Sequence, residues 1–206
     1  MRKVIQRYNV FEYDGPGIRS YCLQHVQKFR CHELYRIFYY DTAPAQYKTT
    51  HPTTQRHLDF SSTDVANNQE ELLATLRETP NVALRLGITT WQDKRWVINP
   101  RKTKELISGA ITIAELDEQD VKPQFEQKMV DMKIGLDIAT VAIKQQADAL
   151  VIISGDVDMV PALKFARKEG MQVCLDPLWR NVSPDLKEHV DFLRTCFPDP
   201  SQAEDA

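Results

Sequence analysis

The sequence predicts an α/β domain of three layers, with a mainly parallel central sheet and helices on both faces. Three observations carry that expectation. Short runs rich in β-branched and aromatic residues alternate with stretches of helical spacing, the pattern of strand–helix–strand units. Residues Ala149–Ile153 form a continuous apolar run, the composition of a strand buried on both faces of a parallel sheet. Glycine and proline punctuate the second half: Gly155 ends that run, Gly170 stops the next helix, and Ser183-Pro184 opens another.

In order, residues 8–13 read as a first strand, and residues 18–29 as a helix after the Gly15-Pro16-Gly17 turn. Residues 34–40 (Leu-Tyr-Arg-Ile-Phe-Tyr-Tyr) are the plainest strand by composition. The polar segment 41–62, with Pro44, Pro52 and many threonines, reads as loop. Residues 64–78 have helical character and residues 82–90 return to strand, with 91–98 pairing back as a hairpin arm. Pro100 starts a short helix. Over 132–146, Ile134, Ile138, Val141 or Ala142, and Gln145 recur at helical spacing, so one face is mostly apolar. After the 149–153 strand come a helix over 159–169, a strand over 173–175 and a helix over 185–196 capped by Ser183. The expected domain is 8–195, with no internal linker, followed by a flexible tail over 196–206.

Bulk properties narrow the class. A chain of 206 residues can bury a self-sufficient core, and 42% hydrophobic with 27% charged residues is the balance of a soluble globular protein. No apolar run approaches the ~20 residues that span a bilayer. Charges scattered through residues 1–13 leave no signal-peptide stretch, so a cytoplasmic location and no membrane partner are expected. Four cysteines without a C-x-x-C pair read as reduced thiols rather than a zinc site. The net charge of −3 does not itself point to nucleic acid, so the distribution of charge matters more than its sum.

In an open α/β sheet, function collects at the carboxyl ends of the strands. Asp14 ends the first expected strand, Asp156 and Asp158 follow the 149–153 strand within Ser154-Gly155-Asp156-Val157-Asp158, and Asp131 precedes the 132–146 helix. Crowded carboxylates repel and raise one another's pKa, a cost that a divalent cation removes. Aspartate oxygens with retained waters are the ligands that Mg²⁺ or Mn²⁺ prefers. Each acid also has a plain structural reading: Asp158 as a helix N-cap, Asp14 as a turn residue, Asp131 as a cap and Asp137 as a surface residue. Positions six apart on a helix differ by about 120°. Asp131, at the helix mouth, is therefore the better ligand and Asp137 the outer neighbour.

Two motifs carry a family resemblance. Lys128-Met129-Val130-Asp131 and the apolar helix after it resemble the K-G-V-D pattern of NYN domains, which are relatives of PIN nucleases. Ser154-Gly155-Asp156-Val157-Asp158-Met159-Val160-Pro161 resembles the same family's S-G-D-x-D-[FM]-x-P signature, one helix and one strand later. The resemblance implies a PIN-like sheet whose acids bind Mg²⁺ or Mn²⁺, and ribonuclease activity. Carried over by position, the catalytic and metal-binding residues are Asp14, Asp131, Asp156 and Asp158, with Lys128 and Ser154 beside the substrate. The chain departs from the family pattern at Gly17, where D-G-x-N has asparagine, and at Met129, where the pattern has glycine.

A substrate patch is expected between 85 and 104, where Arg85, Lys94, Arg95, Arg101, Lys102 and Lys104 face the single acid Asp93. Trp91 and Trp96 lie among them, and cations interleaved with aromatic faces suit single-stranded RNA. Trp91, Lys94, Arg95, Arg101 and Lys102 are the candidates there, and Arg19, near Asp14, is another phosphate contact. The bland reading is a solvated hairpin whose tryptophans anchor it to the core. The function expected is metal-dependent hydrolysis of RNA phosphodiesters, and the alternative is an NYN-fold module that binds RNA or a protein partner without turnover. Asp156-Val157-Asp158 also fits the D-x-D-x-[TV] motif of haloacid-dehalogenase phosphatases, but that motif belongs at the end of a first strand and too little chain follows it here.

Overall fold

The computed structural model describes residue 5, residues 10–29 and residues 33–199. The elements of the first half are α1 (Gly15–Lys28), β1 (Ile37–Thr42), β2 (Lys48–Thr50), β3 (His57–Asp59), α2 (Asp64–Glu78), β4 (Val82–Thr90), β5 (Trp96–Ile98) and α3 (Pro100–Ile107). Then come β6 (Val121–Pro123), β7 (Glu126–Lys128), α4 (Val130–Ile143), β8 (Ala149–Ile153), α5 (Val160–Lys168), β9 (Gln172–Asp176), α6 (Pro184–Glu188) and β10 (Phe192–Leu193). The chain condenses into two compact units: residues 1–40, 72–85 and 130–206 form the first, and residues 41–71 and 86–129 the second.

The class is α/β, as expected, but the sheet is split and mixed. β8, β9 and β10 form a parallel sheet in the order β10-β9-β8, with Ala149 opposite Gln172 and Ile153 opposite Asp176. β4 lies between β1 and β7 in a second three-stranded sheet, and β7 runs antiparallel to it. Two further pairs, β2 with β3 and β5 with β6, are antiparallel. Among the described residues, one mainly parallel central sheet therefore does not form.

In the first unit, the apolar stripe read from the sequence of α4 is the buried one. Ile138, Val141 and Ala142 join Leu163 and Ala166 of α5, Val173 and Leu175 of β9, and Leu186 of α6 in one core. Leu163, Leu175 and Leu186 are fully buried, each contributing about 1.5–3 kcal/mol relative to exposure. β8 is only half-buried along its length, because β9 is its one strand neighbour among the described residues. The helix expected over 185–196 stops at Glu188. Asp191 N–H donates to the Val173 carbonyl (2.8 Å) and Arg194 N–H to that of Leu175 (3.0 Å), so the chain leaves the helix to complete the edge of β9 as β10.

The strand expected over 8–13 is absent from its described part; residues 8 and 9 lie outside the described residues. Side-chain packing holds residues 10–13 instead. Phe11 stacks on Tyr21 and Phe197, with ring centroids 5.1 and 6.3 Å away, while Asp14 N–H turns back to the Glu12 carbonyl (3.0 Å). Among the described residues, no strand ending at Asp14 therefore lies beside the one ending at Ile153.

Asp176, at the end of β9, is fully buried and meets four donors. Its Oδ1 accepts from Leu178 N–H (2.8 Å) and the Thr195 hydroxyl (2.7 Å). Its Oδ2 accepts from the Tyr21 hydroxyl and faces His25 Nε2 at 2.9 Å. Burial, then the bond to Asp176, raises the Tyr21 phenol well above its ordinary range. Burial also pushes the neighbouring Cys22 thiol up to about 12.

The second unit has an aromatic core. Trp91, only 6% exposed, meets Tyr47, Phe60, Trp96 and Phe125 at centroid distances of 5.5–5.9 Å. Two expectations change here. The 41–62 loop contains the β2–β3 hairpin, whose threonines favour strand. β5 pairs with β6 and not back onto β4.

The buried carboxylate should dominate the stability of the first unit. Asp176→Ala strands the Tyr21, Thr195 and Leu178 donors in a dry interior and should cost about 3 kcal/mol or more in urea unfolding. A loss below about 1 kcal/mol would mean that water reaches the network.

Candidate acidic site

The acidic turn grows out of the parallel sheet. Ser154 N–H donates to the Asp176 carbonyl (3.1 Å), extending the β8–β9 ladder by one bond. The chain then turns on its own side chains: Asp156 N–H donates to the Ser154 hydroxyl (3.2 Å) and Asp158 N–H to Asp156 Oδ1 (3.1 Å). Asp156, rather than Asp158, is the N-cap, closing a 3-10 turn over Val157–Met159 that runs into α5 with Pro161 in its first turn. Met159 is buried under the turn, whereas Gly155, Asp156 and Asp158 are exposed. Among the described residues, no cation pairs with either carboxylate. The arrangement presents two carboxylates at a strand's carboxyl end, one of them with a single oxygen committed to the backbone.

The other acids are placed differently. Asp131 is exposed in the first turn of α4, at the helix mouth where the sequence put it. Asp137 accepts from Arg85 Nε (2.8 Å) and from the Tyr40 hydroxyl (3.0 Å), so it is a structural ion-pair partner. Asp14 caps α1, its Oδ1 accepting from Gly17 N–H at 2.7 Å. Among the described residues, no three His, Cys, Asp or Glu side chains are gathered so as to hold a metal ion. The four-aspartate ligand set implied by the resemblance is thus not assembled. A smaller set fits: Mg²⁺ is commonly held by one or two carboxylates, its shell completed by water and substrate phosphates. Asp156 and Asp158 are donors of that kind.

The departure at Gly17 has a local cause. A Cβ built there would lie 1.9 Å from the Glu12 carbonyl oxygen, and one at Gly15 would lie 2.6 Å from the carbonyl oxygen of Thr75. The backbone passes too close at both points for any side chain, so asparagine cannot occupy position 17 in this turn.

The 85–104 patch is largely committed to local contacts. Trp91 is a core residue, its indole N–H donating to the Arg95 carbonyl at 2.7 Å, so its faces are not a platform for bases. Arg95 pairs with Asp93, Arg101 and Lys102 pair with Glu105, and Lys128 pairs with Glu126. Lys94 is exposed on the left-handed turn between Trp91 and Trp96. Arg19 lies on α1 with its Nε buried and, among the described residues, without a hydrogen-bond partner. Sequence reasoning read Asp176-Pro177-Leu178 as part of the family likeness but missed the buried network at the turn after β9. Asp176-Pro177 at a strand end was the available signal, and it could not announce four partners far away in sequence.

Comparison with known families agrees with the motifs: the NYN domain model matches residues 55–193, more than half of the chain. The chain belongs to the NYN domain family. Asp131, Asp156 and Asp158 lie within the matched residues, and Asp14 lies before them. No curated protein and no solved structure matches the chain.

Two substitutions test these placements. Gly17→Asn, which restores the family's residue, should destabilise the protein by about 1–3 kcal/mol through overpacking, read by urea unfolding. Trp91→Ala should cost about 3–5 kcal/mol as a core cavity. An unchanged midpoint for Trp91→Ala would return the indole to the list of substrate contacts.

Proposed function

We propose that the chain is a metal-dependent ribonuclease that hydrolyses RNA phosphodiesters at the acidic turn after β8. One observation carries the reading. In a chain of the NYN family, the Ser154–Asp158 turn holds two solvent-exposed carboxylates at the carboxyl end of a parallel strand, with Ser154 and Asp156 themselves bonding the turn into shape. Exposure matters because the substrate is a polymer and must approach from solvent.

Asp156 and Asp158 would hold Mg²⁺ or Mn²⁺, with Asp131 at the mouth of α4 a further acid of the family pattern. When bound, such an ion offsets the charge of a phosphodiester and lowers the pKa of an attacking water. The chain's own part is to fix the carboxylates. Asp156 accepts the Asp158 N–H and so constrains the backbone from which Asp158 projects. The Ser154 hydroxyl, accepting the Asp156 N–H, holds Asp156 in turn.

The alternative is an NYN-fold module that binds RNA or a protein without turnover. It is favoured by the engagement of Asp14 as a helix cap and by the absence, among the described residues, of a gathered three-acid group.

The test is cleavage of single-stranded and hairpin RNA by the purified protein in Mn²⁺ and Mg²⁺. Asp158→Asn should lower cleavage at least about a hundredfold, the scale expected for a lost charge-stabilising group. Its unfolding midpoint should stay near that of wild type, since the Asp158 side chain bonds nothing among the described residues. Wild type that binds RNA and never cuts it, with either metal, would favour the module.

A further inference from the structure

We infer that Arg180 is a substrate-phosphate contact of the acidic turn, taking a phosphodiester oxygen of an RNA strand; this rests on the ribonuclease reading above. The starting point is Gly155. A Cβ built on this residue would have one neighbour within contact range, Cδ of Arg180 at 4.0 Å. The stem of the arginine therefore runs alongside the acidic turn, and the guanidinium begins one atom beyond that Cδ. Arg180 is exposed, and among the described residues it makes no ion pair, although Asp156 is the next residue after Gly155.

The backbone that delivers Arg180 is strained and firmly held. Leu178 (φ 50°) and Trp179 (φ 61°) are both left-handed, a pair of conformations that glycine or asparagine would adopt more cheaply. They are the central residues of a tight turn closed by Arg180 N–H on the Pro177 carbonyl (3.2 Å). Strain of this kind persists only where the surroundings enforce it. Here Leu178 N–H is bound to the buried Asp176 carboxylate (2.8 Å), and the Trp179 indole N–H donates to the Phe197 carbonyl (3.2 Å). Leu178 is buried in a core with Tyr21, and Ile153 and Trp179 pack on it. The turns after β8 and β9 are thereby fixed side by side, one carrying two carboxylates and the other a cation.

Electrostatics give the pairing a use. Asp156 and Asp158 repel an approaching phosphodiester, and a fixed guanidinium beside them supplies attraction on the substrate's side. Arginine suits this better than lysine because its planar fork can donate two parallel hydrogen bonds to phosphate oxygens. The bland alternative, an arginine that simply neutralises the acids, should appear as a close ion pair, and none is present.

The experiment uses the full chain and a fluorescein-labelled single-stranded oligoribonucleotide. Affinity is read by anisotropy in EDTA at several salt concentrations, and cleavage kinetics in Mn²⁺. Arg180→Ala should weaken binding about tenfold, the loss of one charge-assisted contact, and make the salt slope shallower by about one. It should raise KM more than it lowers kcat, with an unchanged melting midpoint. Arg180→Lys should recover the salt slope but only part of the affinity. Wild-type affinity and slope in Arg180→Ala overturn the inference, whether or not the protein cuts RNA. Absence of cleavage by wild type sinks the nuclease reading alone, because the binding measurements still decide the role of Arg180. Absence of RNA binding by wild type overturns both.

Discussion

A carboxylate cut off from water has to be met by donors on every side, and Asp176 is met by a phenol, an imidazole, a hydroxyl and a backbone amide. These groups come from α1, from the turn directly after β9, and from Thr195 just past β10, so a single side chain ties three separate segments to the end of one strand. Its backbone carbonyl adds a fourth link by accepting Ser154 N–H. Both turns that carry the proposed site residues, 154–158 and 177–180, therefore leave the sheet at a point that the Asp176 network holds rigid. A buried polar network of this kind costs a great deal if any member is lost, and it specifies one arrangement for the same reason.

Rigid placement and chemical readiness are separate properties at this edge. The acidic turn is shaped by its own hydrogen bonds and presents Asp156 and Asp158 to solvent, whereas Asp131 stands at the mouth of α4 and Asp14 is engaged as a cap. Two carboxylates with water and substrate phosphates make a reasonable shell for Mg²⁺, so the proposed activity does not require all four aspartates to touch the ion. The cationic contribution also moves. Much of the positive charge in the 85–104 segment is spent on Asp93 and Glu105, while Arg180, remote in sequence, lies against Gly155.

Much of this was legible in the residues. α2, β4 and β8 occupy the expected residues, because their periodicity and composition do not depend on distant partners. The Ser154–Pro161 motif located the acidic turn for the same reason: its geometry is set by residues two apart. The errors arose where tertiary contacts override local preference. Residues 10–13 look like a strand by composition, yet Phe11 is claimed by the rings of Tyr21 and Phe197. The helix expected to run to residue 196 stops at Glu188, because Val173 and Leu175 offer carbonyls that the chain can satisfy as a third parallel strand. Trp91 reads equally well as platform or anchor, and only its burial among four aromatic rings decides the matter.

If the turn after β8 is a divalent-metal site of nuclease type, as proposed, manganese should bind at its carboxylates. The most direct measurement is anomalous diffraction at the manganese edge from crystals soaked in Mn²⁺. The expected result is an anomalous peak within coordination distance of Asp156 or Asp158 carboxylate oxygens, with water in the remaining positions. A saturating soak that leaves both carboxylates without an ion, or that places manganese on other residues, would contradict it.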